Sequence, residues 1–292
     1  YEGQNGFFML RFTNNPEESL FEDRDQVVVA RSMGVVPERV SDPALSRIKN
    51  HVYLIEAKLR KETSFRLSSA LTIAGDLLDI RLEGSDFLVE GSEEAGISFV
   101  TIQLPSAQEL FHQALQPDQI GCFSGAGELP SQLDATEKFT GEKRLSRLLT
   151  SEFWTHFEAN LPDFAEAIPA SGSSALDGLF FMPEGGVINK PISGIVVAIG
   201  DVEISDGAEI DGLLLHLGRG RLVFKGNSIV SGAVWVSSFD TSGGNLVCDE
   251  IQLTLSENTQ LIYDSDSVDR ALQYLPATQL EWRVIFPEMS LD

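Results

Sequence analysis

The sequence predicts a mainly β protein with a helical N-terminal part and a parallel β-solenoid, with amphipathic helices packed on the solenoid or capping it. Two observations predict the solenoid. Apolar runs recur after Gly194, Gly212 and Gly232, with the glycines 18 and 20 residues apart, a spacing typical of stacked repeats. Between the runs lie glycine, serine and acidic residues, which suit the corners of a winding chain.

Aligning the runs predicts which side chains stack. One set is Ile195, Val197 and Ile199, then Leu213, Leu215 and Leu217, then Ala233, Trp235 and Ser237. The alternate set is Val196, Ala198, Leu214, His216, Val234 and Val236. Both sets are largely apolar, whereas a strand wetted on one side alternates. We therefore expect both sides of these strands to be covered, with Val197 and Leu215 buried and facing inward.

The helical prediction concerns residues 1–63, interpreted as a separate N-terminal region. Ser41, Asp42 and Pro43 suit a helix start. Leu45, Ile48, Val52, Ile55 and Leu59 follow at spacings of 3, 4, 3 and 4, which predicts a helix over 43–61. A second helix is predicted over Asp23–Ser32. The helix over 43–61 is one candidate for covering the solenoid, and a partner subunit is the other.

Residues 64–292 are predicted as one β-rich domain, with its solenoid core at about 185–264 and a C-terminal cap at 265–292. Alternating residues predict strands within 64–91 and 97–104. Ser106 and Glu109 form a capping-box pattern that starts a short helix. A long loop is expected at 117–147, a helix around Thr150–Asn160 and a linker at 170–177. The cap combines a short helix with a final alternating strand.

The amino-acid composition limits which classes of binding partner are expected. The formal net charge of −23 disfavours binding to nucleic acid or to anionic lipid. The chain has no run of about eighteen apolar residues and no recognisable signal peptide at its start. Tyr1 is not an initiator methionine, so we expect upstream residues. The two cysteines, Cys122 and Cys248, fit either a disulfide or two free thiols.

No pattern of catalytic residues stands out. The histidines at 51, 112, 156 and 216 match no metal-ligand or nucleophile spacing. His216 lies in an apolar run and is interpreted as a core residue. Asp264, Asp266 and Asp269 resemble part of a calcium loop but lack its glycine and distal glutamate. We therefore predict a non-enzyme with no catalytic, cofactor or metal site, a calcium ion near these aspartates being the one weak alternative.

Several motifs, taken in order, resemble the PilX-type minor pilins of type IV pili. They are RKETSFRLSSALTIAG with GSDFLVEG, GIVVAIGDVEISDG, GLLLHLG, GNSIVSGAVWV, and the closing pair YDSDSVDRALQYL and LEWRVI. The resemblance covers about residues 60–100 and 185–286. It implies that residues 1–63 are a pilin-like stalk region, that a membrane-spanning helix lies upstream of Tyr1, and that 42–61 are the amphipathic continuation of that helix.

The resemblance implies an exported, non-catalytic subunit of a pilus or related filament, located in the cell envelope, on the pilus or outside the cell. It would act in assembly, tip display, adhesion or uptake. Its partners would be other pilin subunits or a pilus-tip protein, with a surface glycan or host ligand as further possibilities. The membrane would be reached only through the upstream helix.

Two other functions stay open at this point. A bactofilin-like solenoid would polymerise end to end into a scaffold. A carbohydrate-active or carbohydrate-binding β-helix would need a groove lined with acids, basic residues and aromatics on one face.

Overall fold

A computed structural model describes residues 7–14, 27–39, 48–61, 67–75, 78–101, 106–169, 174–218, 220–237, 239–240, 247–248, 250–275 and 277–285. The chain divides into two compact units. The terminal unit contains Tyr1–Glu62 and Pro276–Asp292, so it is built from both chain ends. The central unit is Thr63–Leu275. The fold is mainly β and includes parallel sheets.

The described residues form the following strands: β1 Phe7–Asn14, β2 Val27–Arg39, β3 Ile48–Lys61, β4 Ser69–Ala74, β5 Leu78–Leu82, β6 Leu88–Glu90, β7 Ala95–Val100, β8 Phe123–Ser124, β9 Gln132–Asp134, β10 Leu176–Met182, β11 Gly186–Ile188, β12 Ile192–Ile199, β13 Val202–Ile204, β14 Glu209–Leu217, β15 Arg221–Phe224, β16 Ile229–Ser237, β17 Phe239–Asp240, β18 Val247–Cys248, β19 Ile251–Leu255, β20 Gln260–Tyr263 and β21 Ala277–Ile285. The α-helices are α1 Ala107–Ala114, α2 Thr136–Gly141, α3 Lys143–Ser146, α4 Ser151–Phe164 and α5 Ser265–Ala271, with 3-10 helices at Pro117–Cys122, Arg147–Leu149 and Leu272–Tyr274.

The terminal unit contains an antiparallel sheet with the strand order β1-β2-β3-β21. The helix predicted over 43–61 is wrong, because 48–61 form β3; residues 43–47 lie outside the described ranges. The helix predicted over Asp23–Ser32 is also wrong from residue 27 onward, where β2 begins. Antiparallel pairing along the whole of β2 decides this region, since tertiary contacts override local periodicity.

The central unit contains two parallel sheets, and the chain passes back and forth between them. The ten-stranded sheet includes β10, β12, β14 and β16 as successive neighbours. The five-stranded sheet has the order β11-β13-β15-β19-β5. Between residues 176 and 224 each strand of the first sheet is followed along the chain by one of the second. The predicted register is confirmed: Ile195 pairs with Leu213, and Leu213 pairs with Ala233.

Four glycines pair with one another across the ten-stranded sheet. We call them the glycine column: Gly178, Gly194, Gly212 and Gly232. A Cβ at Gly212 would lie 2.1 Å from the Gly194 carbonyl oxygen, and one at Gly232 would lie 1.9 Å from the Gly212 oxygen. All four have φ between +124° and +146°, a region that residues with side chains rarely adopt. Glycine is therefore required at each of these positions.

The alternate residues of each strand bury their side chains in two different cores. Val196, Leu214 and Val234 belong to the core that also contains Ile204 and Phe224 of the five-stranded sheet. This inner core lies between the two parallel sheets, and its residues are almost wholly inaccessible to solvent. Apolar burial on this scale is the dominant favourable term in folding.

The second core covers the other side of the ten-stranded sheet. Val197 and Leu215 are buried there with Trp154 of α4 and Val268 of α5. Their predicted burial is confirmed, but the prediction that they face inward is wrong. Among the described elements, this side of the sheet is covered by α2, α3, α4 and α5, together with the 3-10 helices at Arg147–Leu149 and Leu272–Tyr274. Of the predicted covering helix at 43–61, the described part, residues 48–61, forms β3 instead.

The N-terminal part of the central unit adds to the same two sheets. β4 pairs in parallel with the second half of β16, and β20 pairs with its first half. β5 pairs with β19, and β6 pairs with β20. Strands early in the sequence thus stack on the last repeat, an arrangement that the sequence analysis missed.

Non-strand segments lie over both ends of this stack. At one end, Phe111 of α1 is buried against Phe99 and Phe123, with ring centroids 5.4 and 4.9 Å away. At the other end, Glu166 pairs with Phe180 and covers the edge of β10. Ile168 packs against the inner core.

Several local predictions are confirmed. Ser106 caps α1 by accepting a hydrogen bond from the Glu109 amide, and a helix lies at Ser151–Phe164.

Two other local predictions are corrected. Residues 117–147 form short helices and strands in place of the expected loop. The segment expected to cap the solenoid, 265–292, contains two different parts. α5 contacts β12, β14 and β16, whereas β21 pairs with β3 in the terminal unit.

Candidate docking surface

One face of the terminal sheet is apolar and exposed. Its register aligns Leu10 with Ser32 and Ile55. The next row on the same face is Phe12, Ala30 and Ala57, because side chains alternate between faces along a strand. Leu10 is 51% exposed, Phe12 59% and Ile55 42%. We call this the apolar face.

The opposite face is mixed and charged. Arg11, Arg31 and Glu56 form one row across it. The Arg31 Nε donates to Glu56 Oε2 at 2.7 Å, and the Glu56 side chain is buried. Arg11 and Lys58 are exposed on this face. Among the described side chains of this sheet, the charged ones therefore lie on the side away from Leu10, Phe12 and Ile55.

Charge is distributed unequally between the two units. The terminal unit contains 13 Asp and Glu against 10 Lys and Arg, a formal charge of −3. The central unit contains 31 acids against 11 basic residues, a formal charge of −20. Within the four terminal strands, basic residues outnumber acids by 8 to 3. Long-range repulsion between copies is therefore weakest at the terminal unit.

An exposed apolar face of this kind is a candidate binding surface. A sheet normally buries one face against a second layer of structure. Contiguous exposed apolar patches on soluble proteins mark interaction sites. Among the exposed large apolar residues, Met9, Leu10, Phe12 and Ile55 all lie in this one sheet. No predicted site residue falls here, because the sequence analysis interpreted this region as helical.

His216 is a buried core residue, as its apolar run indicates. Its side chain is 1% exposed, and its Nε2 lies 2.8 Å from the Gly200 carbonyl oxygen, to which the neutral ring donates. Within the described part of the chain, its Nδ1 is buried without a hydrogen-bond partner. Burial lowers the pKa of His216, although the Gly200 hydrogen bond and Asp201 act in the opposite direction. The ring is thus positioned as a neutral structural group.

The three aspartates considered for calcium lie at the start of α5. Asp264 caps this helix: it accepts from the Asp266 amide and, at 2.6 Å, from the Ser267 hydroxyl. The Ser267 hydrogen bond is the main cause that holds the pKa of Asp264 below its ordinary value. Helix capping thus accounts for its position. Across the described ranges, no three His, Cys, Asp or Glu side chains are grouped to hold a metal ion.

The remaining reactive side chains are dispersed. Cys122 is a buried free thiol whose Sγ donates to the Ser85 carbonyl oxygen. Burial raises the pKa of Cys122, and Asp118 and Asp86 add to this effect. His112 is exposed, with its Nε2 2.9 Å from Gln132 Nε2. The side chains of His51, His156 and Cys248 lie outside what the structure describes.

None of the described helices is both long enough and apolar enough to cross a membrane. Comparison of the chain with protein-family models, with curated proteins and with solved structures finds no match in any of the three.

Proposed function

We propose that the chain is a non-catalytic, minor pilin-like subunit of a type IV pilus or related filament, exported and acting in assembly, tip display, adhesion or uptake. The observation that carries the proposal is the exposed apolar face of the terminal sheet. Leu10, Phe12 and Ile55 are on the surface, where an apolar helix of another pilin subunit would bury them. Helix-on-sheet packing is a standard way to cover such a face.

In this proposal the central unit is a parallel β-solenoid that displays a surface to the outside. The alternation of the chain between two parallel sheets and the aligned glycine column support that interpretation. The helices on its second side give it a rigid, two-core body. Its formal charge of −20 would keep the displayed part soluble.

The two alternative functions have less support. A bactofilin-like polymer needs open ends, whereas Phe111 and Glu166 lie over the two ends of the stack. A carbohydrate-active groove needs clustered acids and aromatics. The outer surface of the five-stranded sheet instead carries local ion pairs, such as Lys225 with Glu203 at 2.6 Å and Arg81 with Asp79 at 3.5 Å.

In-cell photocrosslinking tests the proposal. A photoreactive amino acid replaces Ile55 of the native gene product in its own organism, and a matched variant carries it at Lys58. Both residues lie on β3 but on opposite faces. We expect Ile55 to crosslink to another pilin subunit and Lys58 to do so much less.

A pair of glutamine variants separates docking from folding. Ile55→Gln removes apolar contact from the proposed interface, and Lys58→Gln is the control on the other face. Because Ile55 is partly exposed in the isolated chain, its replacement should leave the melting temperature nearly unchanged. We expect Ile55→Gln to reduce the number of assembled pili and Lys58→Gln to have little effect. Equal piliation in both, with no crosslink from Ile55, would refute the proposal.

A further inference from the structure

Among the strands that the structure describes, none pairs with the side of β1 that faces away from β2. Within the described strands, β1 pairs only with β2, in unbroken register over eight residues. It contains no proline and one charged residue, Arg11. Natural edge strands usually carry lysines, prolines or bulges that block pairing with another chain. β1 has none of these in the described register.

Large apolar side chains are exposed on both faces of this edge. Met9, on the charged face, is 60% exposed, and Leu10 and Phe12 on the apolar face are 51% and 59% exposed. Arg11 between them is exposed as well. An edge strand with exposed apolar side chains and no neighbouring strand on one side is a template for strand addition.

From the edge geometry and the charge distribution, we infer that β1 pairs antiparallel with β1 of a second copy of this chain, across a two-fold axis at Leu10. In this register Leu10 lies opposite Leu10, and Arg11 lies opposite Met9, so no like charges meet. A two-fold contact of this kind is the commonest form of self-association. The inference does not depend on the proposed function.

The charge distribution supports a second copy that contacts through this unit. Central units with a formal charge of −20 repel one another, whereas the terminal unit carries −3. Pairing at β1 brings together the units that repel least. Salt screens the remaining repulsion between copies, so the dimer should become tighter as ionic strength rises. A contact between the basic strands of one copy and the acidic central unit of another would instead weaken as ionic strength rises, because salt also screens attraction.

Sedimentation equilibrium of the purified chain measures the association. We expect the apparent mass to rise from 32.0 kDa toward twice that value over about a hundredfold range of concentration. Leu10→Lys places two lysines directly opposite each other at the two-fold axis and should weaken the dimer at least about tenfold. Val187→Lys is the matched control, because Val187 is an exposed apolar residue on β11, an edge strand of the central unit. Circular dichroism checks that both variants fold.

Cysteine crosslinking tests the register. In a background with Cys122→Ser and Cys248→Ser, Leu10→Cys puts two thiols within about 5 Å of each other across the axis. Thr13→Cys puts them about 20 Å apart, because six residues of strand separate them. A short thiol crosslinker should therefore join Leu10→Cys and leave Thr13→Cys unjoined. A monomer at all concentrations, a dimer unaffected by Leu10→Lys, or equal crosslinking at both positions would overturn the inference.

Discussion

At the scale of single residues, Gly212 lies in the middle of the glycine column and has no space for a side chain. Its φ is +139°, and a Cβ would lie 2.1 Å from the Gly194 oxygen and 3.0 Å from Cβ of Ala271 in α5. The column thus lets neighbouring strands approach and leaves room for α5 to lie across β14. We expect Gly212→Ala to destabilise the protein, because both the backbone conformation and the strand contact oppose a methyl group.

The expected loss for Gly212→Ala is at least about 2 kcal/mol in the free energy of unfolding, measured by urea denaturation. Gly121→Ala is the control, since nothing lies within 4 Å of a Cβ at Gly121 and its φ is not positive. Equal stability of the two variants would contradict the close approach of Gly194 and Gly212.

His216 couples stability to pH. Burial lowers its pKa in the folded chain, whereas the pKa of a histidine in an unfolded chain is about 6.5. The unfolded chain therefore binds the proton more readily at mildly acidic pH. The stability contribution is complete above pH ~7 and declines as the pH falls through about 6.5.

His216→Gln is the variant that tests this coupling. Glutamine does not titrate and keeps an N–H that can reach the Gly200 carbonyl, which accepts from Nε2 in the native chain. Thermal melts between about pH 8 and pH 5.5 should show a larger loss of stability for the native chain than for the variant. Parallel curves would show that His216 is not protonated selectively on unfolding.

At the scale of elements, the sequence predicts the pairing of strands that carry a repeated pattern, but it does not predict the pairing of strands that are far apart in the chain. The runs after Gly194, Gly212 and Gly232 predicted the parallel register correctly. Each run carries the same glycine and the same alternation, so neighbouring strands contain the information for their own alignment. The capping residue of α1, Ser106, was recognisable for a similar reason, because it acts within one turn of the helix.

β3 shows why the terminal sheet was missed. Ile48, Val52, Ile55 and Leu59 have helical spacing, but on a strand the first two positions lie on one face and the last two on the other. The competing signal was the run HVYLI at 51–55, whose β-branched and aromatic residues favour a strand. The partners that stabilise the strand, β2 and β21, come from distant parts of the chain. The apolar face could not be predicted until that pairing was known.

At the scale of the whole molecule, the two units differ in whether they are built from one continuous segment of the chain or from two. The central unit is one continuous segment, Thr63–Leu275, and contains both hydrophobic cores almost entirely within its own sequence. The terminal unit needs both chain ends, because β21 returns to pair with β3. Its formation therefore requires a contact between residues more than two hundred positions apart, which is costly in loop entropy unless the central unit folds.

Removing residues 276–292 tests this difference between the units. The shortened chain loses β21 and exposes a second edge on β3, so the terminal sheet should be destabilised. The central unit should keep its own cooperative transition, because both hydrophobic cores lie within it. Trp154 and Trp235 report this transition, since they lie in the second core with ring centroids 6.2 Å apart. We expect the near-ultraviolet dichroism of these tryptophans to melt at nearly the same temperature with and without the C-terminal segment. A large drop in that temperature would show that the two units fold as one cooperative structure.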